Sequence, residues 1–179
     1  MLLGHIGLMN LSKSLVSQLR QRLTEDAAIA VRTGDAAKDA AQHSVTAMEK
    51  KQDSRAMIEQ GNMAFAQARR AEKSLEHLQA LDTFVGRGLP AFTNRSPIDL
   101  GAVIEASCDD GDKEFARTFV MLPVGAGEEL TGPDGDGIIT VITPSSPVGR
   151  AMKGKHAGDV AEVIIKREPL EWEIIEVCC

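Results

Sequence analysis

"ITPSSPVGRAMKGK" spans Ile142 to Lys155. The residues before it, Ile138 to Ile142, are all apolar or β-branched and read as a strand. Pro144 and Pro147 lack the N–H that a strand ladder needs, so the strand must stop there. Pro147 suits the first turn of a helix, because its φ is already helical and its missing N–H is not required. Gly154 suits the exit of that helix. The stretch therefore predicts a strand, a sharp corner and a short helix over 147–153. It does not carry the glycine spacing of a phosphate-binding loop. Thr143, Ser145 and Ser146 have no neighbouring base, since His156 is ten or more residues away. A nucleophile needs a base in contact with it. The corner reads as architecture or as a contact surface.

Beyond the corner, β-prone runs alternate with turn clusters throughout the second half. The runs are "AVIEAS" (102–107), "ARTFVMLPV" (116–124), "IITVIT" (138–143), "VAEVII" (160–165) and "WEIIEV" (172–177). Between them lie Gly, Asp, Pro and Glu. The pattern predicts a small, largely antiparallel sheet over residues 98–179. "DGDG" (134–137) lacks the further oxygen ligands and the closing Glu of a calcium loop, and reads as a hairpin turn.

The first half differs in kind. Ser12 to Asp82 contains no proline, and glycine only at Gly34 and Gly61. Good helix formers dominate, with Asn10 or Ser12 able to cap the start. Leu15, Leu19 and Leu23 recur every four residues, and Ala27 to Ala30 continue that face. In the second arm Met57, Gly61, Ala64, Ala68, Ala71, Leu75 and Leu78 fall at a 4-3-4-3 spacing, a heptad seam. Two such arms joined by a short turn predict an antiparallel coiled coil over residues 10–82. A turn at Thr33-Gly34-Asp35 would leave much of the second arm unpaired. The balanced choice places the tip within His43 to Lys51, with arms of about 35 residues, about 50 Å long. Residues 83–97, rich in Gly and Pro, form the linker.

The totals exclude several functions. The net charge is −6, and residues 83–179 alone carry nine Lys/Arg against 16 Asp/Glu. No basic block is available to neutralise duplex phosphates, so direct nucleic-acid binding is not expected. Aromatics are 3% with no Tyr, too few for a stacking surface. Three cysteines, Cys108, Cys178 and Cys179, have neither framework nor zinc spacing. The chain reads as a reduced cytoplasmic protein. The C-terminal Cys pair lacks the polybasic tract of a lipid anchor. The opening "MLLGHIGLMN" is too short to span a membrane, and Met9 looks like a natural beginning.

The corner and the residues after it resemble the C-terminal domain of the bacterial GreA/GreB transcription elongation factors. The matching features are Ser146-Pro147, Gly149-Arg150-Ala151, Gly154-Lys155, Gly158-Asp159 and the two last β runs, over about 45 residues; "DLGAVIEAS" (99–107) looks like the first strand. The resemblance implies an α+β chain: an N-terminal antiparallel coiled-coil hairpin, then a C-terminal FKBP-like antiparallel β domain. It implies a monomeric factor, without membrane contact, that binds RNA polymerase at its secondary channel. Ser145, Ser146, Pro147 and Arg150 would belong to the docking surface, with Ser145 standing where the family often has an acid or amide.

In the family the hairpin enters the channel, and acids at its tip help hold a magnesium ion at the polymerase's own active site. This stimulates cleavage of backtracked RNA. The protein would need no cofactor of its own and would meet RNA and DNA only through the polymerase. Such chemistry requires carboxylate oxygens for a loosely held magnesium. The family's Gly-Asp-x-x-Glu-Asn type of tip is not evident here. Candidate acids are Glu49 and Asp53, which would share the metal, and Asp35 and Asp39 in "GDAAKD". Lys50 and Lys51 oppose a cation. Two other readings stand beside this one: a non-cleaving channel binder, Rnk-like or an inhibitory Gre homologue, and an FKBP-like isomerase or chaperone.

Overall fold

The structure is a computed structural model that describes residues 3–43, 53–109, 114–132, 135, 137–165 and 168–178. The elements in order are α1 (Leu3–His43), α2 (Asp53–Gly86), β1 (Val103–Asp109), β2 (Glu114–Met121), β3 (Glu129–Thr131), β4 (Ile138–Ile142), α3 (Pro147–Met152), β5 (Val160–Ile165) and β6 (Glu168–Cys178). The chain divides into two units. One is Arg20–Gln79; the other joins Met1–Leu19 to Ala80–Cys179.

The first unit is the helix pair. Helix α1 passes through Gly34 without a break, so Thr33-Gly34-Asp35 is not a turn. It also passes through Asn10 and Ser12; neither caps it, and Ser12 is buried. The reason is local: nothing before Ser12 breaks a helix as proline would, so it continues toward Leu3. Leu23, Ala27, Ala30 and Gly34 are buried along one face of α1, as their spacing predicts. The two helices run close at Gly34, where a Cβ would lie 3.7 Å from Gln67 Cβ and 3.9 Å from the Ala64 carbonyl oxygen. The expected tip, His43 to Lys51, lies outside the described residues beyond His43 itself.

The seam of α2 differs from the predicted one. Ala64 and Ala71 are buried, but Gly61 and Ala68 are exposed and Leu75 is 58% exposed. The positions turned inward are Ala64, Gln67, Ala71, Ser74, Leu78 and Leu81, a 3-4-3-4-3 spacing. Either i+3 or i+4 completes a heptad stripe. Hydropathy favours Ala68 and Leu75; the packing places Gln67 and Ser74 there instead, both half-buried.

In the second unit a six-stranded sheet has the order β3-β4-β2-β1-β6-β5. Four pairings are antiparallel, as the alternation predicts. The β2–β4 pairing is parallel, with Val120 opposite Val141, so the sheet is mixed. The chain path is the cause: β3 forms a tight hairpin with β4, and β4 then lies beside β2 in the same direction. Gly132 and Gly137 close that hairpin, as "DGDG" suggests.

One face of the sheet packs on α3. Ile104, Ala106, Phe119, Met121, Ile142, Trp172 and Ile174 meet Met152 there in the main core. On the other face Val103, Val120, Val141, Ile139 and Leu130 are buried as well. In the helix segments of the same unit Leu15, Leu19 and Leu81 are fully buried, and Leu19 approaches the β2–β3 connection so closely that a Cβ on Gly125 would lie 2.7 Å from it. Gln18 fastens the edge strand: its amide donates to the Thr131 carbonyl at 2.9 Å and accepts from the Thr131 N–H at 3.0 Å.

Candidate functional site

The corner after β4 is built around one hydroxyl. Ser146 is the N-cap of α3, with extended φ/ψ of −70° and 154°. Its Oγ accepts from the Gly149 N–H at 3.1 Å and from the Thr143 N–H at 3.2 Å, and donates to the Thr143 carbonyl at 2.8 Å. The Ser146 N–H reaches the same carbonyl at 2.9 Å. A helix start leaves N–H groups without partners, and a capping serine supplies one. Here the cap also ties the helix back to the end of β4. Pro147 comes next at the first helical position, as predicted.

Gly149 is required by the same closure. A Cβ there would stand 2.7 Å from the Thr143 carbonyl carbon, closer still to its oxygen, and 3.0 Å from Ser146 Oγ. Residue spacing alone assigns Gly149 no such role. The available signal is a glycine inside a six-residue helix, where it costs about 1 kcal/mol relative to alanine without a steric need.

The four residues assigned to the docking surface therefore sit together but present themselves differently. Ser145, Pro147 and Arg150 are exposed, and Ser146 is half-buried. The Ser145 hydroxyl lies 3.1 Å from Thr143 Oγ1, and Thr143 itself is buried. The exit is held too. Gly154 N–H donates to the Ile98 carbonyl and Ile98 N–H to the Lys155 carbonyl, both at 2.8 Å. Lys153 pairs with Asp99 at 3.6 Å on the surface. His156 turns to Asp159, which accepts from the His156 N–H at 2.8 Å, while the Ser146 hydroxyl is committed to Thr143 and Gly149. No serine–histidine pair forms among the described residues.

The candidate acids are not assembled by the described part of the chain. Asp35 and Asp39 lie one turn apart on α1, both exposed and both already engaged with other groups. Asp35 borders a groove between the helices with Val31, Gly34, Phe65 and Ala68. Asp53 is the first residue of α2, and Glu49 lies outside the described residues. Among the described residues no group of three or more His, Cys, Asp or Glu is placed to hold a metal ion. No helix there is long and apolar enough to cross a membrane. The aromatic side chains Phe119 and Trp172 are buried in the main core, with rings edge-on at 5.3 Å.

Helix pair, mixed sheet and hydrogen-bonded strand-to-helix corner define a class: an α+β protein in which a pair of long helices precedes a small sheet domain. A family model described as "Transcription elongation factor, GreA/GreB, C-term" matches residues 96–178, a little under half of the chain, so the sheet domain is similar to the C-terminal domain of those factors. The chain is 32% identical over 88 residues to the transcription elongation factor GreA of Helicobacter hepaticus (strain ATCC 51449 / 3B1). That stretch is 49% of this chain and 48% of the relative, so the match spans about half of either protein. Among solved structures, GreA factor homolog 1 (Gfh1) of Thermus thermophilus is 16% identical, with 93% of this chain and 96% of that chain covered and a TM-score of 0.33. Thermus aquaticus Gfh1 is 16% identical, with 94% and 97% covered and a TM-score of 0.33.

Proposed function

We propose that this protein is a Gre-like transcription elongation factor. It docks on RNA polymerase through the corner formed by Ser145, Ser146, Pro147 and Arg150. From the secondary channel it stimulates cleavage of backtracked RNA by the polymerase's own active site. It acts in the cytoplasm as an accessory factor, with magnesium belonging to the polymerase. The observation that carries this reading is the family match over residues 96–178, which contains the whole corner. The corner's rigidity supports it, because an exposed patch held by internal hydrogen bonds loses little entropy on docking. The test uses stalled, backtracked polymerase with magnesium. Shortening of the RNA above the intrinsic rate is expected on adding the protein, and an unchanged rate rejects the cleavage step.

A second reading keeps the docking and drops the cleavage. Residues 44–52, "SVTAMEKKQ", supply one carboxylate and two lysines between the described helices. Lysines there weaken the hold on a cation. On this reading the protein occupies the channel and competes with cleavage factors. Inhibition of a cleaving Gre factor, without RNA shortening by this protein alone, distinguishes it. Failure to bind core polymerase removes both readings.

A further inference from the structure

The two edges of the sheet are treated differently. The β3 edge is closed by Gln18, which bonds both backbone groups of Thr131. The opposite edge is β5, paired to β6 on one side only. Its outer N–H and C=O groups take no partner among the described residues. Natural edge strands are commonly blunted by lysine, proline or a bulge. Over Val160 to Ile164, β5 has none of these; Val160 is 50% and Ile164 66% exposed.

The face beside this edge is acidic. Register places Glu162 opposite Glu171, and Glu105 opposite Glu176. Glu173 lies between them, opposite Val160 on one side and Ser107 on the other. All five glutamates are exposed, and they form no ion pair with a described residue. Like charges directly opposite each other destabilise a sheet by up to about 1 kcal/mol per pair.

We propose that β5 is a strand-addition site for an extended basic segment of a partner protein, with Lys or Arg at alternate positions and aliphatic residues between them. Main-chain bonds to the free edge supply affinity, as in other strand-addition interfaces. Alternation places the partner's cations on the face of Glu162 and Glu171. Charge selects this occupant over a second copy of the chain. Pairing β5 with β5 of another copy would extend the row of carboxylates from five to about ten without a counter-charge, which repels. Nucleic acids and anionic lipid surfaces are excluded by the same sign.

The test uses the full chain and two short peptides, one of alternating Val and Lys and one of alternating Val and Glu. Hydrogen exchange is followed strand by strand. The Val–Lys peptide is expected to slow exchange in 160–165 and to bind at least about tenfold more tightly than the Val–Glu peptide. Glu162→Lys with Glu171→Lys should weaken it about tenfold, while Glu76→Lys on α2 leaves it unchanged. Unaltered Trp172 fluorescence confirms that the exposed double variant is folded. Binding without protection of 160–165, or equal loss with Glu76→Lys, means diffuse charge attraction and overturns the proposal. So does concentration-dependent protection of 160–165 without peptide, which would make the edge a self-association site.

Discussion

Gly149 stands so close to the Thr143 carbonyl that its missing side chain is the condition for the corner to close. An added Cβ would meet the backbone carbonyl of Thr143, so no rotamer change relieves the clash. Gly149→Ala must either push α3 away from β4 or break the Ser146 cap. Overpacking costs about 1–3 kcal/mol where side chains can yield, and a backbone clash exceeds that range. A loss of more than about 3 kcal/mol is expected in urea unfolding followed by Trp172 fluorescence. A loss under about 1 kcal/mol would show that α3 is not held as described.

Ser146 and Ser145 should separate structure from docking. Ser146→Ala leaves the Thr143 and Gly149 N–H groups without their acceptor. Loss of a capping hydroxyl costs about 1–2 kcal/mol. Ser145 is exposed, and among the described residues its hydroxyl bonds to the neighbouring hydroxyl of Thr143. Ser145→Arg should change stability by less than about 0.5 kcal/mol. On the proposed function it should also weaken polymerase binding about tenfold. Paired unfolding and binding measurements check both.

Gly34→Ala should stabilise the helix pair. The added methyl would meet Gln67 Cβ at 3.7 Å and the Ala64 carbonyl at 3.9 Å, ordinary contact distances. Replacing glycine inside a helix removes a penalty of about 0.5–1 kcal/mol. A rise in the thermal midpoint measured by circular dichroism is the expected outcome. A fall would mean that the helices approach more closely than this.

Gln18→Ala should release the β3 edge. It removes two hydrogen bonds to Thr131, worth about 1 kcal/mol net each. The Thr131 amide should then exchange with solvent faster, while the amides of β1 and β6 keep their protection. Uniform loosening of the whole sheet would contradict a local latch.

The acids can be ranked by cleavage assay. Glu49→Ala and Asp53→Ala should each reduce any stimulated RNA cleavage at least about tenfold if they share the metal. Asp39→Ala should change it by less than about twofold, because Asp39 is engaged on α1. Equal losses at all three positions would remove the ranking.

Much of this protein is readable from residue order. Leu15, Leu19, Leu23 and Ala27 announce one face of α1 by spacing alone. Pro147 and the alternating β runs announce the corner and strands. These are local signals: a helix face or a turn needs only the residues that form it. The exchange of Ala68 and Leu75 for Gln67 and Ser74 is not readable, because both stripes satisfy a heptad and only the partner helix chooses between them. The parallel pairing of β2 with β4 is likewise hidden, since alternation reports which face is buried but not the neighbour.

Residue order thus sets the element types, the division into a helix pair and a sheet, and the Ser-Pro corner. Packing in three dimensions settles the rest. It makes Gly149 indispensable through a carbonyl six residues earlier, and it closes one sheet edge with Gln18 while leaving β5 open. Those outcomes depend on distances between groups brought together by the fold, and such distances are not encoded in any short window of sequence.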